Sequence, residues 1–278
     1  YYFTKNTKTR GETMAQKLIF FDIDGTILPE TGEPIPESTL EAIKLAKANG
    51  HLTLINSGRT MPANPELIKN LGFDAFLCAC GTHLYYDDEV LYSHTIPHEL
   101  CVETVEFLRA CNVPVFFEAD EKLYIDGASK ATTPDFEILE QFYHPQDLME
   151  LSAKEKMTYT FDKFLLMDNG ETCDFEKALE FCKEHFDPID RGRGFWEIIQ
   201  KKHSKATAIQ FFMEYFHVAL EDCYALGDST NDLSMLKFVP NSIAMGNSDP
   251  RILPYCSYKT TDILDDGIYN ALKHFKII

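Results

Sequence analysis

The apolar run Leu18-Ile19-Phe20-Phe21 stops at Asp22-Ile23-Asp24-Gly25-Thr26, and no other stretch restricts the possible folds so strongly. So apolar a segment reads as a strand buried on both faces, and Gly25 ends it. Both carboxylates then lie at the strand's carboxyl edge, where open α/β sheets bind ligands. Ile23 points to the opposite face, so Asp22 and Asp24 share a side if strand geometry continues past Phe21. Carboxylates this close repel each other unless a cation or a shared proton intervenes, and Mg²⁺ is the oxygen-preferring cation that suits them. A plain polar turn after a strand is the alternative at this point.

The pattern recurs near the other end of the chain. Tyr224-Ala225-Leu226-Gly227-Asp228 is again an apolar strand ending in Gly-Asp, and Asp232 follows at the start of a helix over 233–238. Two such edges converging on one cation are far less expected by chance than either alone. Between them, the strand over 51–56 ends in Asn56-Ser57-Gly58-Arg59-Thr60. Ser57, Gly58 and the neighbouring backbone N–H groups suit phosphate oxygens, and Arg59 suits a paired contact. Lys205 opens a helix over 206–216, where the helix dipole disfavours a cation, so an anion is its natural partner.

A helix over 37–48, with Leu40, Ile43 and Leu45-Ala46 on one face and Asn49-Gly50 as its stop, precedes the strand over 51–56. This order predicts parallel pairing through a right-handed crossover. A helix over 66–71 and a strand over 73–80 follow, and the texture then changes. A hairpin over 84–92, a helix over 98–111, strands over 113–118, 122–125 and 163–167, a helix over 175–185 and a strand over 195–199 suggest a second α/β unit inserted into the first. Its expected limits are 84–194, leaving 14–83 and 195–278 as the main domain; residues 126–160 fit no clear pattern. Met14 stands where the folded pattern begins, so 1–13 are expected to be an upstream extension outside the fold. The aromatics Tyr124, Tyr143, Tyr159, Phe161, Phe195 and Trp196 are assigned to core packing and not to ligand binding.

The formal net charge of −18 opposes attraction to nucleic acid or anionic membrane, so neither is expected as a partner. Any phosphate site must be made locally positive by metal, lysine, arginine and backbone N–H groups. No run approaches the roughly 18 apolar residues of a membrane helix, and no signal-peptide segment is evident, so a cytoplasmic protein is expected. The eight cysteines form no Cys-x-x-Cys pair and are expected to be reduced.

Four motifs occur in order: Asp22-Ile23-Asp24-Gly25-Thr26, Ser57-Gly58-Arg59, Lys205 and Gly227-Asp228-Ser229-Thr230-Asn231-Asp232. Ala244-Met245-Gly246-Asn247 and Asp265-Asp266-Gly267 follow them. In these the chain resembles the haloacid dehalogenase superfamily, and within it the Cof-like phosphatases. The resemblance implies a Rossmann-like parallel-sheet core with an inserted α/β cap that opens and closes, with hinges near 81–84 and 191–195. It implies an Mg²⁺-dependent phosphatase acting on small phosphorylated metabolites such as sugar phosphates, as a monomer or weak homodimer. Asp22 would be the nucleophile that forms an aspartyl-phosphate, and Asp24 the acid and then the base. Asp22, Asp24, Asp228 and Asp232 would serve the metal, and Ser57, Gly58, Lys205 and Asn231 the phosphate, with Arg59 touching substrate. Two positions depart from the family pattern: Cys80-Gly81 replaces a frequent Asn-Gly, and Ser229 stands where Gly is common, so Cys80 is expected to affect what the cap mouth accepts. A phosphomutase, and a catalytically silent metabolite-binding regulator, remain the alternatives.

Overall fold

The computed structural model describes residues 15–87, 89–120, 122–125, 146–147, 159–168, 170 and 173–278, so Tyr143 and most of 126–160 lie outside the described residues. Eight strands form the larger sheet: β1 (Leu18–Phe21), β2 (Leu52–Asn56), β3 (Ala75–Cys78), β4 (His83–Tyr86), β5 (Glu89–Ser93), β12 (Cys223–Gly227), β13 (Asn241–Ala244) and β14 (Tyr258–Lys259). Six form the smaller: β6 (Val115–Glu118), β7 (Leu123–Ile125), β8 (Gln146–Asp147), β9 (Lys163–Met167), β10 (Phe186–Gly192) and β11 (Phe195–Gln200). The helices are α1 (Glu37–Ala48), α2 (Glu66–Lys69), α3 (His98–Ala110), α4 (Phe175–His185), α5 (Lys205–Phe216), α6 (Leu233–Phe238) and α7 (Gly267–His274).

The larger sheet runs β14-β13-β12-β1-β2-β3-β4-β5, parallel except for the β4–β5 hairpin at one edge. β1 lies inside it because all four of its residues are apolar and fully buried. Ile19 and Phe21 pack with α1 and α7 on one face, and Leu18 and Phe20 with α5 and α6 on the other. Each such side chain contributes about 1.5–3 kcal/mol relative to exposure. The sequence order of β12 and β2, on either side of β1, makes this a doubly wound sheet with a switch point at the β1 carboxyl edge.

The smaller sheet, β10-β11-β9-β6-β7-β8, is the cap. Its period-2 pattern divides the residues cleanly between two faces. Phe117, Phe164, Leu166, Trp196 and Ile198 turn toward α3 and α4, while Phe116, Leu165, Met167 and Phe195 turn the other way. That second face roofs the edge of the larger sheet, and Ala63 of the core joins its apolar cluster.

Sheet membership differs from the expected limits of 84 and 194. The hairpin at 83–93 extends the larger sheet, and Phe195–Gln200 is an inner strand of the smaller one. The chain therefore passes between the sheets at 94–97 and 201–204. Gly192 and Gly194, at φ +87° and +77°, lie in the β10–β11 turn within the smaller sheet. β10 was not apparent in the sequence because Asp187, Pro188, Asp190 and Arg191 interrupt any apolar alternation, which an edge strand tolerates. Tyr159 and Phe161 are fully buried, as core assignments require, whereas Phe195 reaches the cavity described below.

Candidate active site

The Asp22 N–H continues the β1 ladder onto the Leu226 carbonyl, at 3.0 Å, and the chain then turns sharply, with the N–H groups of Thr26, Ile27 and Leu28 all donating to the Ile23 carbonyl. Gly25 makes this turn possible at φ +73°, and a Cβ there would lie 2.3 Å from Asp228 Oδ2. The two strand ends are thus pressed together through a position that only glycine can fill. Asn247 fixes the turn from outside: its Nδ2 donates to the Gly25 carbonyl at 2.7 Å, and its Oδ1 accepts from the Ile263 N–H at 3.1 Å.

Lys205 is the first residue of α5, after the Ser204 cap, and its side chain is fully buried. Nζ lies 2.5 Å from Asp22 Oδ1 and 2.5 Å from Asp232 Oδ1. Asp232 Oδ2 accepts from the N–H groups of Asp228 and Ser229, at 2.9 and 3.1 Å. Both oxygens of Asp232 are therefore engaged, and the residue fixes the lysine and the turn after β12. Asn56 holds the same lysine from its backbone, donating to the Lys205 carbonyl at 3.0 Å.

Asp22, Asp228 and Asp232 each bring a carboxylate oxygen within 4.8 Å of the others. Asp228 Oδ1 is buried without a hydrogen-bond partner among the described residues. Burial, then the neighbouring carboxylates, push Asp22 and Asp228 well above the usual carboxylate range, Lys205 notwithstanding. A crowded, partly unsatisfied set of hard oxygens fits a divalent cation, which would relieve the repulsion and occupy the orphaned oxygen.

Asp24 behaves differently. Burial would raise it, but Arg59 outweighs that with a two-pronged pair, Nε to Oδ2 at 2.8 Å and Nη2 to Oδ1 at 2.9 Å, and holds Asp24 below its ordinary range. Arg59 Nη1 also donates to the Ala63 carbonyl at 2.7 Å. The arginine expected to touch substrate is thus bonded to the expected acid. Ser57 is buried, and its Oγ accepts the Arg59 N–H at 3.1 Å while its O–H remains able to donate. Asn231, expected to contact phosphate, accepts from Ser229 Oγ at 2.8 Å and donates toward Glu197 at 3.4 Å.

Asp22, Asp24, Ser57, Gly58, Arg59 and Asn231 line one cavity of about 190 Å³. Its roof is the open face of the cap sheet: Phe116, Leu165 and Phe195 with Glu118, Lys163, Glu197 and the β10 residue Arg191. The roof's charged residues were missed in the sequence. Glu197 is their hub, almost fully buried, with Lys163 Nζ at 2.6 Å, Arg191 Nη1 at 2.9 Å and the Cys80 thiol at 3.4 Å. Lys163 also reaches Glu118 at 3.1 Å and the Gly58 carbonyl at 2.9 Å. A lone acid inside Phe195-Trp196-Glu197-Ile198-Ile199 was the available signal. Cys80 is buried outside the cavity lining, with its thiol on the lining residue Glu197, and burial pushes that thiol up.

A Rossmann-like core with paired acids at two adjoining strand ends, a buried lysine between them and a cap over the crevice is the architecture of a phosphoryl-transfer hydrolase. The chain belongs to the haloacid dehalogenase-like hydrolases, whose family model matches residues 19–272. It is 28% identical over 276 residues to YkrA of Bacillus subtilis, covering 95% of this chain and 100% of that one. It is 25% identical over 279 residues to the pyridoxal phosphate phosphatase YbhA of Escherichia coli, covering 93% and 100%. The structure of the HAD subclass IIB sugar phosphatase BT4131 superposes with a TM-score of 0.77 at 27% identity, covering 95% of this chain and 100% of that one. The enzyme is thus a phosphatase of the Cof-like group. Among the described residues no helix is long and apolar enough to cross a membrane.

Proposed function

We propose that the protein is an Mg²⁺-dependent phosphatase that hydrolyses small phosphorylated metabolites, sugar phosphates first among them, through a phosphoryl group carried on Asp22. The observation that carries the reading is the convergence of Asp22, after β1, with Asp228 and Asp232, after β12, with Lys205 Nζ bridging Asp22 and Asp232 and Asp24 lining the same cavity. Asp22 would attack phosphorus as the ester P–O bond breaks, and Asp24 would give its proton to the departing alcohol oxygen. Water would then attack the phosphorus, losing its proton to Asp24 and returning Asp22 as a carboxylate. In the pairing seen here Arg59 keeps Asp24 ionised, the form that serves as base; to act as acid, Asp24 must loosen that pair. Lys205 has three N–H bonds and spends two on Asp22 and Asp232, which leaves one for a phosphoryl oxygen, with Ser57 and the Gly58 backbone on the other side.

Asp22, the backbone carbonyl of Asp24 and Asp228 would hold Mg²⁺, with Asp232 beside them. The cation would supply charge to offset the carboxylates' repulsion of a phosphate dianion. The sugar preference rests on the likeness to a sugar phosphatase, and a pyridoxal phosphate phosphatase is also among the relatives. Phosphate release from sugar phosphates, pyridoxal phosphate, nucleotides and p-nitrophenyl phosphate, with Mg²⁺ or EDTA, tests the proposal. Release that needs Mg²⁺ and is lost in Asp22→Asn supports it. Release unaffected by EDTA, or a requirement for a bisphosphate activator, refutes it.

A further inference from the structure

Among the described residues of the cap, Arg191 presents a cation whose edge is open to the cavity. Lys163 is almost completely enclosed, its side chain 4% exposed, and is spent on Glu197, Glu118 and the Gly58 carbonyl. The Arg191 side chain is 23% exposed and lines the cavity that also holds Asp22 and Asp24. Of its five N–H bonds, one meets Glu197 Oε2 at 2.9 Å and another reaches Ser229 Oγ at 3.4 Å. The rest of the planar fork has no partner among the described residues and lines the cavity it shares with Asp22 and Asp24. The fields of Asp232 and Asp22 act on Arg191, and its own field acts on Asp24.

Charge arithmetic gives this arginine a task. Asp22, Asp24, Asp228 and Asp232 bring four negative charges, and Lys205 and Arg59 two positive ones; a divalent cation would bring the sum to zero. Lys163 cancels one of Glu118 and Glu197, and Arg191 the other. A phosphate dianion entering this balance meets one remaining N–H of Lys205 from the core and, among the described residues of the cap, the open part of the Arg191 fork, since Arg59 is already bonded twice to Asp24.

We infer that Arg191 is a catalytic residue supplied by the cap, which donates to the transferring phosphoryl oxygens when the cap lies over the core and is aimed there by Glu197. This rests on the phosphatase reading of the site. A guanidinium delivered from the roof would finish the phosphate site only in the closed arrangement, so phosphoryl transfer would proceed only with bulk water excluded.

The test compares wild type, Arg191→Ala, Arg191→Lys and Asp22→Asn on p-nitrophenyl phosphate, whose leaving group carries no second anion, and measures inhibition by orthovanadate. Arg191→Ala is expected to lose about ten- to a hundredfold in kcat/KM, the factor a hydrogen bond to a charged group is worth. Vanadate inhibition should weaken by a similar factor, and added guanidinium ion should restore part of the activity. A role confined to packing would not produce that rescue. Arg191→Lys, which keeps the charge but not the fork, should fall between. Arg191→Ala with wild-type kcat/KM and vanadate inhibition overturns the inference, as does a loss seen only with substrates bearing a second anionic group. Failure of the phosphatase reading itself would look different: wild type would be as inert as Asp22→Asn.

Discussion

Two buried lysines, each set between two carboxylates, distinguish the halves of the molecule. Lys205 joins Asp22 and Asp232 in the core, and Lys163 joins Glu118 and Glu197 in the cap. In both, burial works against the charge and the paired acids outweigh it, keeping the lysine protonated. Around Lys163 the balance closes: Glu197 has partners on both oxygens and is held far below its usual range, burial notwithstanding, by Lys163 and Arg191. Around Lys205 it does not close. Acids outnumber cations, and a buried Asp228 oxygen has no hydrogen-bond partner among the described residues. The closed set is built to hold two sheets together; the open set is built to receive something.

Exchanging members of each set is the way to break this comparison. The largest effect is expected from Asp22→Asn, which should remove turnover while leaving the thermal transition near that of wild type; phosphate release at the wild-type rate would remove Asp22 from the chemistry. Asp24→Asn comes next, with both half-reactions slowed by about 10²- to 10⁴-fold, the range general acid–base groups supply. Single-turnover and burst measurements would separate the two halves, and an unchanged second half would assign the base elsewhere. In the closed set, Glu197→Ala should leave Arg191 without its acid and the buried Lys163 with Glu118 alone, and cost about 3–5 kcal/mol of stability, read by urea unfolding. A loss of under about 1 kcal/mol, the value of an exposed pair, would mean that the cap network is not enclosed in solution. The smallest effect is expected from the cation: Mg²⁺ at a hundred times its Kd should stabilise the protein by about 2.7 kcal/mol. Calorimetry should show that gain in wild type and its loss in Asp228→Asn, and equal gains in both would put the cation outside the crevice.

The open set was legible in the sequence and the closed set was not, for a physical reason. Asp22 and Asp228 interrupt apolar strands at their ends, where the change from Phe21 or Gly227 to a carboxylate cannot be core. Glu118, Lys163 and Glu197 occupy ordinary alternating positions of half-buried strands, where a charge usually faces solvent. Only the pairing of β6 with β9, which places Glu118 opposite Lys163, and of β9 with β11 turns that face inward. The limits of the insert were misplaced for a related reason. The hairpin at 83–93 carries exposed residues like those of the cap, yet its antiparallel strands simply add to the edge of the core sheet.

Asn247 ties the turn after Asp22 to Ile263, and Lys205 reaches Asp22 across 183 residues of chain and Asp232 across 27. During synthesis, residue 22 leaves the ribosome long before any of these partners exists. β1 must wait for β12 to cover its second side, and the turn at Gly25 must wait for Asn247. The emerging polypeptide therefore carries the Asp22 carboxylate apart from its partners for most of translation, and the crevice is assembled only as the final quarter of the chain folds back onto its beginning.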